Sequence, residues 1–176
     1  MNIEALQYPI GTFKKPENIS EKDIQEAITI LEIFPEQLRL LTAHLPEDTL
    51  KQPYRPEGWT IRQLIHHIAD SHHHSYTRLK WTLTEDTPAI KGYNEKDWAA
   101  LGDSTTMPIA WSLTHVEALH YKMTYLLKSL TTEQWERTYQ HPDKEEPTTL
   151  KEHTLIYAWH SMHHFAHIKN ALDRMD

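Results

Sequence analysis

Cysteine is absent from this 176-residue chain. That excludes a disulfide framework, a thiolate metal ligand and a cysteine nucleophile from the chain itself. Glycine is scarce, at 4 residues, and no Gly-x-Gly-x-x-Gly, phosphate-loop or Gly-x-Ser-x-Gly pattern occurs. Nucleotide-binding loops and a serine-hydrolase elbow are therefore excluded as readings. No uninterrupted apolar run approaches the roughly 20 residues that span a bilayer. The first residues, Met1 to Pro9, lack the basic-then-apolar order of a signal peptide. Positive charge is also short: 18 Lys and Arg stand against 25 Asp and Glu, a net charge of −7 with neutral histidine. With no basic block to offset that excess, nucleic acid is not an expected partner. The expectation is a soluble cytoplasmic protein, and the length fits one domain over residues 1–176.

What is present in quantity is helical periodicity. A first amphipathic segment starts near Ser20, with Asp23 three residues on as a weak capping-box analogue. Ile24, Ala27, Ile28, Leu31, Leu38 and Leu41 carry it towards Pro46, and Pro35 inside it is expected to kink the helix or break it in two. A second helix opens on the capping box Thr60-Ile-Arg-Gln63 and runs to about Thr84. Residues 85–107 read as a long connection with a short helix near 94–101, a length that is often functional. A third long helix runs from about Pro108 to Leu130, and a short turn follows Thr131. A fourth opens on a second expected capping box, Thr149-Leu-Lys-Glu152, and runs to about Arg174. Four long helices with long connections predict an all-α four-helix bundle.

Histidine is the other abundance, with 14 residues. On the fourth helix His153, His160, His163, His164 and His167 share an arc roughly 100° wide, with Leu155, Trp159, Met162, Phe165 and Ala166 opposite. Solvated histidines have no reason to align in this way. His160 and His164 are four residues apart, so two imidazoles stack one turn from each other. On the second helix His67, Asp70 and His74 share one face. Metal sites in bundles are built from facing side chains of different helices. The economical solution is a divalent ion held by His67, His160 and His164, with positions left open for chemistry. Asp70, one turn after His67, is a candidate fourth ligand or a partner that fixes an imidazole tautomer. A His-Glu-x-x-His protease motif is absent, since no Glu separates His160 from His164. His44, His115, His120, His141 and His153 read as surface or pocket-edge residues, and Tyr54, Arg55 and Trp59 as candidate pocket walls.

Several segments carry a family likeness. They include Tyr8-Pro9-Ile10-Gly11, Pro53-Tyr54-Arg55, the run from Gly58 through His67 and Asp70 to His72, Thr84 to Ile90, and Trp159 to Ile168. On these the chain resembles the DinB-like superfamily, and within it the YfiT family of proposed metal-dependent hydrolases, a group that includes bacillithiol S-transferase-like proteins. The resemblance implies an up-down-down-up four-helix bundle, a zinc or nickel ion on His67, His160 and His164, and a homodimer.

Three functions are compatible with such a site. In a hydrolase the ion activates water, with Asp70 or His163 moving protons. In a thiol S-transferase of the bacillithiol type, the open position takes a low-molecular-weight thiol from solution as thiolate. The third is a non-catalytic metal-binding, stress-response module. The expected partner is a small-molecule substrate, and zinc is the expected ion with nickel as the other candidate.

Overall fold

A computed structural model describes residues 3–175. In chain order the helices are α1 (Ile3–Gln7), α2 (Glu21–Thr42), α3 (Glu47–Leu50), α4 (Ile61–Thr84), α5 (Glu95–Ala99), α6 (Gly102–Thr106), α7 (Ala110–Leu127), α8 (Thr132–Trp135) and α9 (Leu150–Leu172). Two short strands, β1 (Thr138–Tyr139) and β2 (Thr148–Thr149), pair antiparallel just before α9.

The four long helices α2, α4, α7 and α9 form the bundle. Their relative directions follow from the bonds between them. From α4 to α7 the pairs run His66–Ser112, His72–His120 and Ser75–Met123, both numbers rising, so the two are parallel. From α4 to α9 the pairs run His72–His160 and Ser75–His153, in opposite senses, so these are antiparallel. Arg39–Glu117 and Glu32–Lys128 make α2 and α7 antiparallel as well. The order is up-down-down-up, as the family resemblance implies. Parallel α4 and α7 require the long crossover of residues 85–109.

The capping chemistry placed the helices well. Thr60 and Gln63 form a full capping box at α4, and Ser20 and Asp23 form one at α2. Thr149 also caps α9, accepting from the Glu152 N–H, but no reciprocal bond closes a box. The reason is electrostatic: the buried Glu152 carboxylate is held by Lys15 at 2.7 Å and Lys144 at 2.8 Å, and does not turn back to the cap.

Pro35 does not break α2, which runs as one helix through Glu21–Thr42. Proline lacks the N–H that would bond the Leu31 carbonyl four residues earlier. A side chain takes that place: His120 Nδ1 on α7 lies 2.6 Å from the Leu31 oxygen. His120 and His153 are accordingly core residues, 1% and 2% exposed, and not surface positions. His153 bridges Ser75 Oγ at 2.9 Å and the Tyr139 hydroxyl at 3.0 Å.

The apolar core falls into two clusters. One gathers Phe34, Leu38, Leu64, Ile65, Ile68 and Val116. The other gathers Ile24, Ile28, Leu31, Leu79, Met123 and Leu127. Between their levels on α4, α7 and α9 stand His72, His120 and His160, so a histidine layer interrupts the hydrophobic core. Fully burying one Leu or Ile contributes about 1.5–3 kcal/mol. A layer of polar rings, His72 and His120 buried and His160 half-buried, forgoes that gain, which points to a use other than stability.

Candidate metal centre

The backbone brings His67 of α4 opposite His160 and His164 of α9. One ring nitrogen from each of the three lies within 4.8 Å of the others. Ring centroids are 4.4 Å apart for His160–His164, 5.0 Å for His67–His164 and 5.4 Å for His67–His160. The structure thus brings together the three histidines singled out in the sequence, in a group that could hold one ion. His163, His164 and His167 form an overlapping second group with the same spacing.

The trio lies on the wall of a cavity of about 620 Å³. Tyr54, Arg55, Trp59 and Trp159 line it, together with His163 and His167. Trp59 packs on His67 at 4.8 Å between centroids, and Tyr54 on His167 at 4.3 Å. Arg55 is oriented by bonds from Nε to the Tyr54 hydroxyl and from one terminal nitrogen to the Pro56 carbonyl, both 2.9 Å. Gly58 makes that wall possible, because a Cβ there would meet Arg55 Cγ and Tyr54 Cε1 at 2.8 Å. A separate depression of about 500 Å³ between α2 and α7 is bordered by the Arg39–Glu117 and Lys128–Glu32 ion pairs and contains no histidine.

Burial sets the protonation of the site. It pushes His67 down to about 4, and His160 and His164 well below the usual histidine value, with neighbouring histidines adding to the shift for the latter two. His163 is also lowered to about 4 by burial. The trio is neutral at pH 7, and neutral imidazole is the form that binds a metal. The donor set and its spacing fit a divalent ion of the zinc or nickel type.

Two of the three rings are held from behind. His160 Nδ1 is 3.1 Å from His72 Nε2, and His72 Nδ1 is 2.8 Å from His120 Nε2. His164 Nδ1 is 3.2 Å from His167 Nδ1, and His167 Nε2 is 3.0 Å from the Gln7 carbonyl oxygen.

Asp70 is not brought to this point. Among the described residues it belongs to neither histidine group and does not line the cavity. Three residues from His67 leaves Asp70 only about 60° round the helix, so helical spacing allows the pairing and the tertiary fold does not make it. Burial and the charge of Asp103 raise it to about 6. His74 is likewise elsewhere, stacked on Tyr93 at 4.4 Å. The residues missed by sequence reading are His72 and His120. A signal existed: His72 follows Ile65 by seven and Ile68 by four, and His120 follows Leu113 and Val116 in the same way. Both occupy core positions of an apolar stripe.

The DinB superfamily model matches residues 30–168. YfiT of Bacillus subtilis, named as a proposed metal-dependent hydrolase, is 45% identical over 99% of this chain and 98% of its own length. The chain belongs to the DinB superfamily. A second relative in it, a proposed metal-dependent hydrolase of Halalkalibacterium halodurans, is 48% identical over 96% of this chain and 97% of its own. The solved structure of B. subtilis YfiT superposes with a TM-score of 0.94 at 44% identity, covering 97% of this chain and 98% of that one. That protein is described as a candidate metal-dependent hydrolase with an unusual four-helix bundle topology. The DinB fold expected from the sequence is thus the fold observed. Among the described residues no helix is long and apolar enough to cross a membrane.

Proposed function

We propose that this DinB protein is a metal-dependent hydrolase whose divalent ion is held by His67, His160 and His164. One observation carries the reading: three neutral imidazoles from two helices place ligand nitrogens within 4.8 Å of one another on the wall of a 620 Å³ cavity. An ion there would supply Lewis acidity and lower the pKa of a water towards about 7. The names of the two relatives support the same class of activity.

The chain's own groups have separable roles. His67, His160 and His164 bind. His163 lines the same cavity, is neutral at pH 7, and is the base that moves a proton. Arg55 presents a fixed cation on the wall, suited to orienting a polar or anionic group of a small-molecule substrate. Trp59 and Trp159 exclude water around that group. Zinc is the proposed ion, and nickel accepts the same three ligands.

The test is turnover against a panel of small esters, amides and lactones after chelation. Restoration by added zinc or nickel supports hydrolysis. Turnover of an electrophile only when a low-molecular-weight thiol is supplied would replace hydrolysis with thiol transfer. Absence of metal-dependent turnover in both assays would contradict an enzymatic role and leave a metal-binding module.

A further inference from the structure

The bonds behind the ligands have a direction, and backbone carbonyls set it. A carbonyl oxygen accepts and never donates. His120 Nδ1 must therefore carry the proton that reaches the Leu31 oxygen at 2.6 Å. In a neutral ring the other nitrogen is then an acceptor. So His120 Nε2 accepts from His72 Nδ1–H at 2.8 Å, and His72 Nε2 accepts from His160 Nδ1–H at 3.1 Å. His160 is left with Nε2 unprotonated. The second chain reads the same way. His167 Nε2–H donates to the Gln7 oxygen at 3.0 Å, so its Nδ1 accepts from His164 Nδ1–H at 3.2 Å. His164 too is left with a bare Nε2. His72, His120, His164 and His167 are buried, an environment that disfavours a charged ring.

Both anchors are carbonyls that the backbone leaves free. Leu31 lacks its helical donor because residue 35 is proline. Gln7 is the last residue of α1, where helix carbonyls have no partner within the helix. The buried helix-interior proline thus has a positive use: it frees an acceptor in the core.

We propose that two carbonyl-anchored histidine chains, Leu31–His120–His72–His160 and Gln7–His167–His164, lock the tautomers of two metal ligands so that each offers an Nε2 lone pair before any ion arrives. His72, His120 and His167 are positioning residues in this scheme. Its purpose rests on the metal reading above; its hydrogen bonding does not. The lock matters because a histidine in water prefers the proton on Nε2, the nitrogen needed here as ligand. Groups that orient metal-bound histidines in this way are worth about 10–100-fold in affinity.

The experiment has two parts. Long-range proton–nitrogen correlation spectra of isotope-labelled, metal-free protein at mildly alkaline pH read each tautomer directly. The expected pattern is Nδ1–H for His72, His120, His160 and His164, and Nε2–H for His167. Zinc affinity is then measured by competition with a chromophoric chelator for wild type, His120→Leu and His120→Gln. Glutamine keeps an amide donor for Leu31 and an oxygen acceptor for His72, whereas leucine keeps neither. His120→Leu should lose about 10–100-fold in affinity and mix the His160 tautomers, while His120→Gln stays within about threefold of wild type. If His120→Leu does not fold, the wild-type tautomers and the glutamine variant decide the matter. Zinc binding by a wild type that carries Nε2–H on His160 would overturn this inference and leave the metal reading standing. The expected tautomers with no zinc uptake would uphold the chains and overturn the metal reading.

Discussion

His120 Nδ1 lies 2.6 Å from the Leu31 carbonyl oxygen, the atom to which residue 35 would donate were it not proline. This bond joins α7 to α2 through the core, and its far nitrogen continues to His72. Replacing His120 with leucine strips a buried carbonyl of its partner and leaves His72 Nδ1–H unpaired. Each such group costs about 1–3 kcal/mol, so the metal-free variant should be about 2–6 kcal/mol less stable in urea titration. A loss below about 1 kcal/mol would mean that the carbonyl and His72 find other partners.

That bond also shows where sequence reading stopped. Thr60-x-x-Gln63 and the spacing of His160 and His164 were legible because each is local, fixed within one or two helical turns. The crossing partner of Pro35 was not, since it lies 85 residues on in another helix. The local effect of proline predicts a kink or a break, and the donor that takes the missing place is tertiary. His72 and His120 were passed over because histidine counts as polar, although both sit on apolar stripes. The β1–β2 pair was invisible for another reason: two residues per strand are too few for alternation to register. Glu152 had the right spacing for a capping box, and only the fold revealed the two lysines that claim it.

Stability should depend on pH with a definite sign. His67, His120, His163 and His167 are lowered to about 4 in the folded chain and His153 to about 3, against 6.5 for an ordinary histidine. Between those values the unfolded chain binds more protons, so stability falls as pH drops below 6.5 and continues to fall towards 4. Asp70, raised to about 6, acts in the opposite sense, but it is one group against five. Urea midpoints of metal-free protein should therefore drop steeply from neutral pH to pH 5. A flat profile would contradict the burial of these rings.

Gly58 tests the cavity wall. Alanine there would place its Cβ 2.8 Å from both Tyr54 and Arg55. Crowding of this kind costs about 1–3 kcal/mol, and here the side chains that must shift are the ones lining the site. Gly58→Ala should lose stability in that range and change KM, while zinc affinity stays within a few-fold of wild type. Unchanged KM would show that Tyr54 and Arg55 do not meet the substrate.

His163 and Asp70 separate by position. His163→Asn should keep its metal and lose about 10²–10⁴-fold in kcat, the range for removing a general base. Asp70→Asn should keep both metal and turnover, because Asp70 does not line the cavity. Steady-state kinetics of the two variants with metal content measured in parallel decides this. A collapse of kcat in Asp70→Asn alone would reverse the assignment.

The most direct measurement is metal content by mass spectrometry on untagged protein, wild type beside His164→Ala. A three-histidine centre predicts about one divalent ion per wild-type chain and loss of that ion in the variant. A wild type that carries no ion, and takes up none when zinc or nickel is supplied, would contradict the centre and the function built on it.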